Sequence, residues 1–188
     1  MVLTKRGVNK KKPNANYDYL WNVLDNKTKF LLASKCSGRK RSSKEAQEVF
    51  TEAYKQNVKI PMQIIVDGFR GYENGCRRTF RNWAGERKVK FTSIKGKRKQ
   101  VNNNAVENLH THQKELLKVR RGVKQVQDYA DGFKVFHNFI KKAEKDKLTP
   151  AERCGIDVLG NKWHTLLLNS IKQKVPQATG ENKMSISP

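Results

Sequence analysis

Apolar positions recur along the chain in two rhythms, one of about two residues that marks strands and one of about 3.6 that marks helices. Residues 1–7 (MVLTKRG) predict a short strand, and residues 8–16 a basic turn. Residues 17–24 (YDYLWNVL) are rich in aromatic and β-branched side chains and predict a second strand, 25–28 (DNKT) a turn and 29–35 a third strand. Links this short favour an antiparallel meander. After a basic loop at 36–41, Ser42 and Glu45 form a capping box. Ala46, Val49, Phe50, Ala53 and Tyr54 then follow at helical spacing, to an end near Asn57. Residues 59–66 hold a nearly continuous apolar run, PMQIIV, that suits a strand buried on both faces and stops at Asp67-Gly68.

A helix over 69–81, a strand over 88–94 and a basic loop at 95–100 follow. Residues 102–122 (NNNAVENLHTHQKELLKVRRG) predict an amphipathic helix with Val106, Leu109, Leu116 and Leu117 on its apolar face and Gln113 as the one polar interruption. A longer helix over 123–147 lines Val126, Ala130, Phe133, Phe136 and Ile140 inward. Thr149 and Glu152 make another capping box, with Pro150 at the first helical position. Residues 162–174 form a last helix with Trp163, Leu166, Leu167 and Ile171 inward, and residues 175–188 read as a disordered polar tail. The predicted fold is α/β. Its mixed five-stranded sheet, a three-stranded antiparallel meander plus two parallel strands, is flanked by helices. Residues 1–156 are expected to form the core and 157–188 the terminal helix and tail.

Charge changes this picture. Lysine and arginine total 40 against 17 acids, for a net charge of +23. Such an excess implies a polyanionic partner, with nucleic acid ahead of ribosomal RNA or an anionic membrane surface. No small-molecule substrate and no membrane association are expected. There is no apolar run long enough for a membrane span and no signal-peptide pattern. Cys36, Cys76 and Cys154 are odd in number and widely spaced, which argues for a reducing compartment and against a zinc site. A cytoplasmic, nucleoid-associated protein is the expectation.

Two acids draw the chemistry together. Asp67 lies just past the buried strand, where open α/β sheets place ligands. Glu107 sits near the start of the 102–122 helix, among lysines and histidines. Carboxylates from different elements, framed by cations, suit a divalent-metal site for phosphodiester chemistry. The plainer alternatives are a turn residue for Asp67 and a solvated helix face for Glu107.

The segments YLWNVLDNKTKFLLAS, IIVDGFRGY, NNNAVENLHTHQKELLKVRRG and DGFKVFHNFIKKAEKDKLTPAERCGI, spanning residues 19–156, resemble the DDE transposase catalytic domain of prokaryotic insertion sequences. That domain belongs to the retroviral-integrase superfamily of RNase H-like folds. The resemblance implies a two-ion Mg2+ (or Mn2+) site, DNA strand cleavage and transfer, and DNA partners in the form of transposon ends and target. Asp67 matches the second acid of the family and Glu107 the third, both as catalytic and metal-holding residues. Asn103 and Asn104 match the polar run before that glutamate, and Lys114, Lys118, Arg120 and Arg121 would hold phosphates.

The family's first aspartate has no counterpart, since no acid precedes Asp18. The first strand reads as truncated, and the upstream DNA-recognition region is missing from the pattern. Little strand transfer by the chain alone is therefore expected, with an incomplete metal site. The rival reading is a non-catalytic DNA-binding remnant that modulates a full-length transposase, through mixed or homo-oligomers; a basic RNA-associated protein is a third. As stand-ins for the first acid, Asp25 is better explained by its turn, and Asp18 is expected to face solvent. His110 and His112, two apart on a helix, make a poor metal pair. His137 is expected to be packed or at the surface. Trp21, Trp83 and Trp163 are candidates for base stacking, with at least two expected in the core.

Overall fold

Three strands open the chain as an antiparallel meander: β1 (Val2–Thr4), β2 (Tyr17–Leu24) and β3 (Leu31–Cys36), in that spatial order. The computed structural model describes residues 2–4, 17–38, 40–57, 59–80, 89–94, 104–119 and 125–174; the basic segments at 5–16 and 95–100, Trp83 and the 175–188 tail lie outside them. The turn between β2 and β3 is made by Asp25, whose Oδ2 accepts from Thr28 N at 2.7 Å, Thr28 Oγ1 at 2.7 Å and Lys27 N at 3.1 Å. Lys29 takes a left-handed conformation, φ 63°. That breaks the extended backbone, so β3 starts at Leu31 and not at Lys29 as expected.

Helix α1 (Ser43–Asn57) begins where the capping pattern places it, with Ser42 N donating to Glu45 Oε2 at 2.9 Å. It buries Ala46, Val49, Phe50 and Ala53. Strand β4 (Gln63–Val66) leads to α2 (Gly71–Phe80) and then to β5 (Lys90–Ser93), parallel to β4. Strand directions agree with the meander-plus-parallel-pair expectation. Among the described residues, however, the ladders form two sheets, β1-β2-β3 and β4-β5, and not one five-stranded sheet. The run before Asp67 is correspondingly less buried than predicted: Met62 is 90 % exposed, Gln63 is exposed, and only Val66 is buried. A strand paired along one edge alone cannot enclose such a run.

Alternation along β2 sends its side chains into two cores. Trp21 joins Ala33, the buried face of α1, Val66, and Cys76 and Phe80 of α2. Leu20 faces the other way, onto Val126 and Ala130 of α4 (Val126–Val135). Helix α3 (Asn104–Val119) covers the same face through Leu109, which packs with Leu31, Tyr129 and Phe133. Helices thus lie on both sides of the meander. Gln113, the polar interruption of α3, is fully buried; its Oε1 accepts from Asn22 Nδ2 at 2.8 Å.

The predicted 123–147 helix is shorter. It passes from α4 into a π-helical turn (Phe136–Ile140) and stops, with Lys141 extended. The π turn brings buried Asn138 against β3, where its Oδ1 accepts from Leu31 N at 2.8 Å and its Nδ2 donates to Leu31 O at 3.0 Å. Gln127 does the same further along, accepting from Cys36 N at 2.7 Å and donating to Ser34 O at 3.1 Å. Two side-chain amides therefore close the outer edge of β3. Helix α5 (Pro150–Arg153) carries the reciprocal Thr149–Glu152 capping box. Helix α6 (Lys162–Lys174) has the predicted bounds but not the predicted face: Trp163, Leu167 and Ile171 are 54 %, 60 % and 51 % exposed. Its main contact is with the π-helical turn, so most of its apolar stripe meets no described layer. No helix among the described residues is long and apolar enough to cross a membrane.

Candidate functional site

Asp67 is held at the end of β4 by an Asx turn, its Oδ1 accepting from Phe69 N at 3.0 Å. Ser93 Oγ of β5 donates to its carbonyl oxygen at 3.2 Å, which ties the two parallel strands together beneath the side chain. The exposed Oδ2 meets Arg41 Nη2 at 3.4 Å. The Arg41 guanidinium lies 4.4 Å from the centroid of the Phe69 ring and 5.7 Å from that of Tyr19. Tyr72 stands behind this group. Burial, and then the Asp67 charge, push its phenol up to about 12, so it stays protonated.

Glu107 occupies the first turn of α3, exposed, where the helix dipole favours a negative charge. Asp67 and Glu107 come together on one groove of about 370 Å³, between β2 and β4, with α1 on one side and α3 on the other. The two acids paired from sequence thus line one cleft. Arg41 and Tyr72 also line it and were not singled out from sequence, as does His110, which was weighed only as a metal ligand. Arg41 falls in an undifferentiated basic loop, and nothing local signals its partnership with an aspartate 26 positions away.

Other expected residues are placed differently. Asn104 and Lys114 are exposed on α3, and neither lines the groove. Lys118 belongs to α3 but its side chain is not described, and Asn103, Arg120 and Arg121 lie outside the described residues. Asp18 is 7 % exposed, which corrects the expectation that it faces solvent; in the β1–β2 ladder it stands opposite Leu3. Asp25 is consumed by its turn. Neither lines the groove. Trp21 is core, and Trp163 is exposed. His110 and His112 do diverge. His110 lines the groove, while His112 packs edge-on to Phe133 at 5.9 Å. His137 stacks on Phe133 at 5.8 Å, with Nε2 against Lys29 O at 2.9 Å.

These histidines make stability depend on pH. Burial lowers the His110 pKa from 6.5 to about 4, and its buried Nε2 has no hydrogen-bond partner among the described residues. Burial lowers His112 and His137 as well. An imidazole that folds with a lowered pKa contributes stability that is complete above 6.5 and is lost as pH falls toward the folded value. Between pH 7 and pH 5, His110 alone should cost about 1–2 kcal/mol in urea unfolding. His110→Leu should flatten that slope; an unchanged slope would contradict the assignment.

Two exposed carboxylates supply hard oxygen donors, which suit Mg2+ or Mn2+ held by one or two acids and completed by water and phosphate. Among the described residues no three His, Cys, Asp or Glu side chains gather into a metal cage. The donor set therefore fits a divalent ion of this kind, with two protein acids.

Solved structures share the fold. One is a chain of the simian T-cell lymphotropic virus intasome in complex with PP2A regulatory subunit B56 gamma, similar at a TM-score of 0.55 and 12% identity over 85% of this chain. This chain spans only 55% of that chain's length. Another is the HTLV-2 integrase catalytic core domain in complex with magnesium, in a trimeric form. It is similar at a TM-score of 0.51 and 14% identity, over 82% of this chain and 93% of that one. At such identities the likeness establishes the fold, an RNase H-like α/β architecture. Comparison with curated protein sequences gives no match. The sequence itself matches the model of a DDE domain over residues 12–143, well over half its length. On that match, and with the fold in agreement, the chain belongs to the transposase DDE-domain family.

Proposed function

We propose that this chain is the catalytic core of a DNA transposase that cuts and joins DNA strands at a two-metal site, and that it is deficient in strand transfer by itself. The observation that carries the reading is the shared groove of Asp67 and Glu107, 40 positions apart by number (107 − 67). Asp67 and Glu107 would hold magnesium or manganese, and the bound ions would supply Lewis-acid activation of water or of a 3′-hydroxyl. The chain's own residues account for the rest. The Asx turn and the Ser93 bond fix the Asp67 carboxylate at the strand end. Arg41, exposed beside it, is placed to take a phosphate oxygen. Lys114, Lys118, Arg120 and Arg121 add phosphate contacts along α3 and beyond. The partner is DNA, as transposon ends and target, met as a homo-oligomer or with a full-length transposase in the nucleoid. What supports the deficiency is that, among the described residues, neither Asp18 nor Asp25 lines the groove as a third acid.

Calorimetric titration with Mn2+ tests the site. Asp67→Asn and Glu107→Gln should each weaken binding by at least about tenfold. Unchanged binding in both would overturn the assignment. The second reading, a DNA-binding remnant without catalysis, rests on the net charge of +23. It predicts DNA affinity that is indifferent to both substitutions and falls on the order of 10³-fold or more between 50 and 200 mM salt. Efficient magnesium-dependent joining of transposon ends by the purified chain would refute the deficiency.

A further inference from the structure

A second cavity, of about 460 Å³, lies on the far side of α3. Asn108, Leu109 and His112 line it, whereas Val106, Glu107 and His110 line the groove of Asp67. At about 3.6 residues per turn these two sets fall on opposite faces of the helix. Leu24, at the end of β2, lines both cavities, so they adjoin there. Their charge differs. The groove sets Arg41 against two acids, while the second cavity is lined by Lys29, Lys141, Lys142, Lys145 and Arg153, with Glu144 as the one acid among its described lining residues.

The fold, and not a helix face, gathers these lysines. The π-helical turn ends the helix at Ile140, and the chain then closes into a loop. Ala143 N donates to Leu148 O at 2.9 Å, and Lys147 N to Ala143 O at 3.1 Å. Arg153 fastens the loop, its Nε and Nη2 each 2.8 Å from a carboxylate oxygen of Asp146. That pairing occupies Arg153, and Lys29 Nζ donates to Asn26 Oδ1 at 2.9 Å. Lys141, Lys142 and Lys145 enter no ion pair among the described residues. Partial burial lowers the pKa of Lys141, and the nearby Glu115 and Glu144 offset that only in part. Three ammonium groups around one cavity repel one another, and an anion between them relieves the repulsion. Leu24, Leu109 and Pro150 add apolar surface, and His112 and His137 add imidazole rings.

We propose that this cavity is a second DNA contact, which takes one backbone phosphate with its sugar between Lys141, Lys142 and Lys145. Its volume lies in the range that holds a small organic group and exceeds what a bare phosphate fills. Because the cavities adjoin at Leu24, a strand held here runs on toward the groove. The contact rests on the reading of DNA as partner, and not on the metal site.

The test uses the full chain in EDTA, so that no metal contributes, and a short DNA duplex of arbitrary sequence. Imidazole signals followed by NMR separate the cavities: His112 and His137 report on this one, His110 on the groove, and exposed His164 of α6 on neither. DNA should shift His112 and His137 and leave His164 in place. A shift at His110 alone would overturn the proposal and leave the groove reading intact. Shifts at His112 and His137 without His110 would support it, while the groove reading still stands or falls on its Mn2+ titration. Shifts at His112 and His137 with inorganic phosphate but not with DNA would overturn it in favour of a free-anion site. Lys141→Gln, Lys142→Gln and Lys145→Gln together should weaken duplex binding at least about tenfold at about 0.1 M salt. The control triple Lys55→Gln, Lys59→Gln and Lys90→Gln removes the same charge from exposed residues that do not line the cavity, and should weaken it less than about threefold. Equal losses in the two triples would reduce the effect to net charge and overturn the site.

Discussion

Gly75→Leu should destabilise the protein by more than about 3 kcal/mol, and so lower Tm by roughly 6–12 °C for a chain of this size. Gly75 lies within α2, where glycine ordinarily costs about 0.5–1 kcal/mol relative to alanine. Here the usual sign reverses. A Cβ at this position would stand 2.7 Å from Ala46 Cβ, 2.8 Å from Gln47 N and 3.0 Å from Ala46 C. Two of those three atoms are backbone of α1, which cannot swing aside. The helices have closed to a distance that only a hydrogen fits, and Thr79 Oγ1 of α2, 3.3 Å from Gln47 O, marks the same approach. Leucine must push α1 and α2 apart and open the core shared by Phe50, Cys76 and Phe80. Even Gly75→Ala should cost about 1–3 kcal/mol. Gly132→Ala is the control: it is also helical, but no atom lies within 4 Å of its added Cβ, so it should gain up to about 1 kcal/mol. Chemical denaturation of the three variants checks the contrast, and a stabilised Gly75→Ala would refute the steric account.

Asn138→Leu should cost about 2–5 kcal/mol, although it replaces a buried polar side chain by an apolar one of similar size. The amide of Asn138 stands in for a neighbouring strand, giving and taking one hydrogen bond with the backbone of fully buried Leu31. Leucine removes both bonds and leaves a buried N–H and a buried C=O without partners, each worth about 1–3 kcal/mol. The π-helical turn that aims Asn138 at β3 then loses its reason to persist. Urea unfolding gives the energy, and amide exchange at Leu31 locates it. A variant as stable as the parent would mean that water replaces the lost bonds.

Much of the local structure needed only the sequence. The bounds of β2 and α6 were legible to the residue, as were the capping box at Thr149, the Ser42–Glu45 contact at the start of α1 and the turn at Asp25. These features rest on side-chain rhythm and on hydrogen bonds spanning two or three positions, so the information that makes them is local. The two acids, Asp67 and Glu107, were paired from sequence as chemistry and family pattern, and the fold sets both on one groove.

Tertiary structure decided what depends on distant partners. Gln113 read as a flaw in an apolar face, yet it is buried with Asn22, 91 positions away, donating to its Oε1. Asn138 carried no signal, and its partner Leu31 lies 107 positions away. Among the described residues the strands of the predicted five-stranded sheet form two ladders, because strand rhythm specifies an extended segment but not which edge it finds. The stripe on α6 is amphipathic by sequence and exposed in the fold, since periodicity says that a face is apolar and not that a layer exists to receive it. What the sequence determined by itself was therefore the set of elements and the two acids proposed for the site. The groove that brings those acids together, with Arg41 beside one of them, arises only from long-range packing, where each contact is made by residues that the chain keeps far apart.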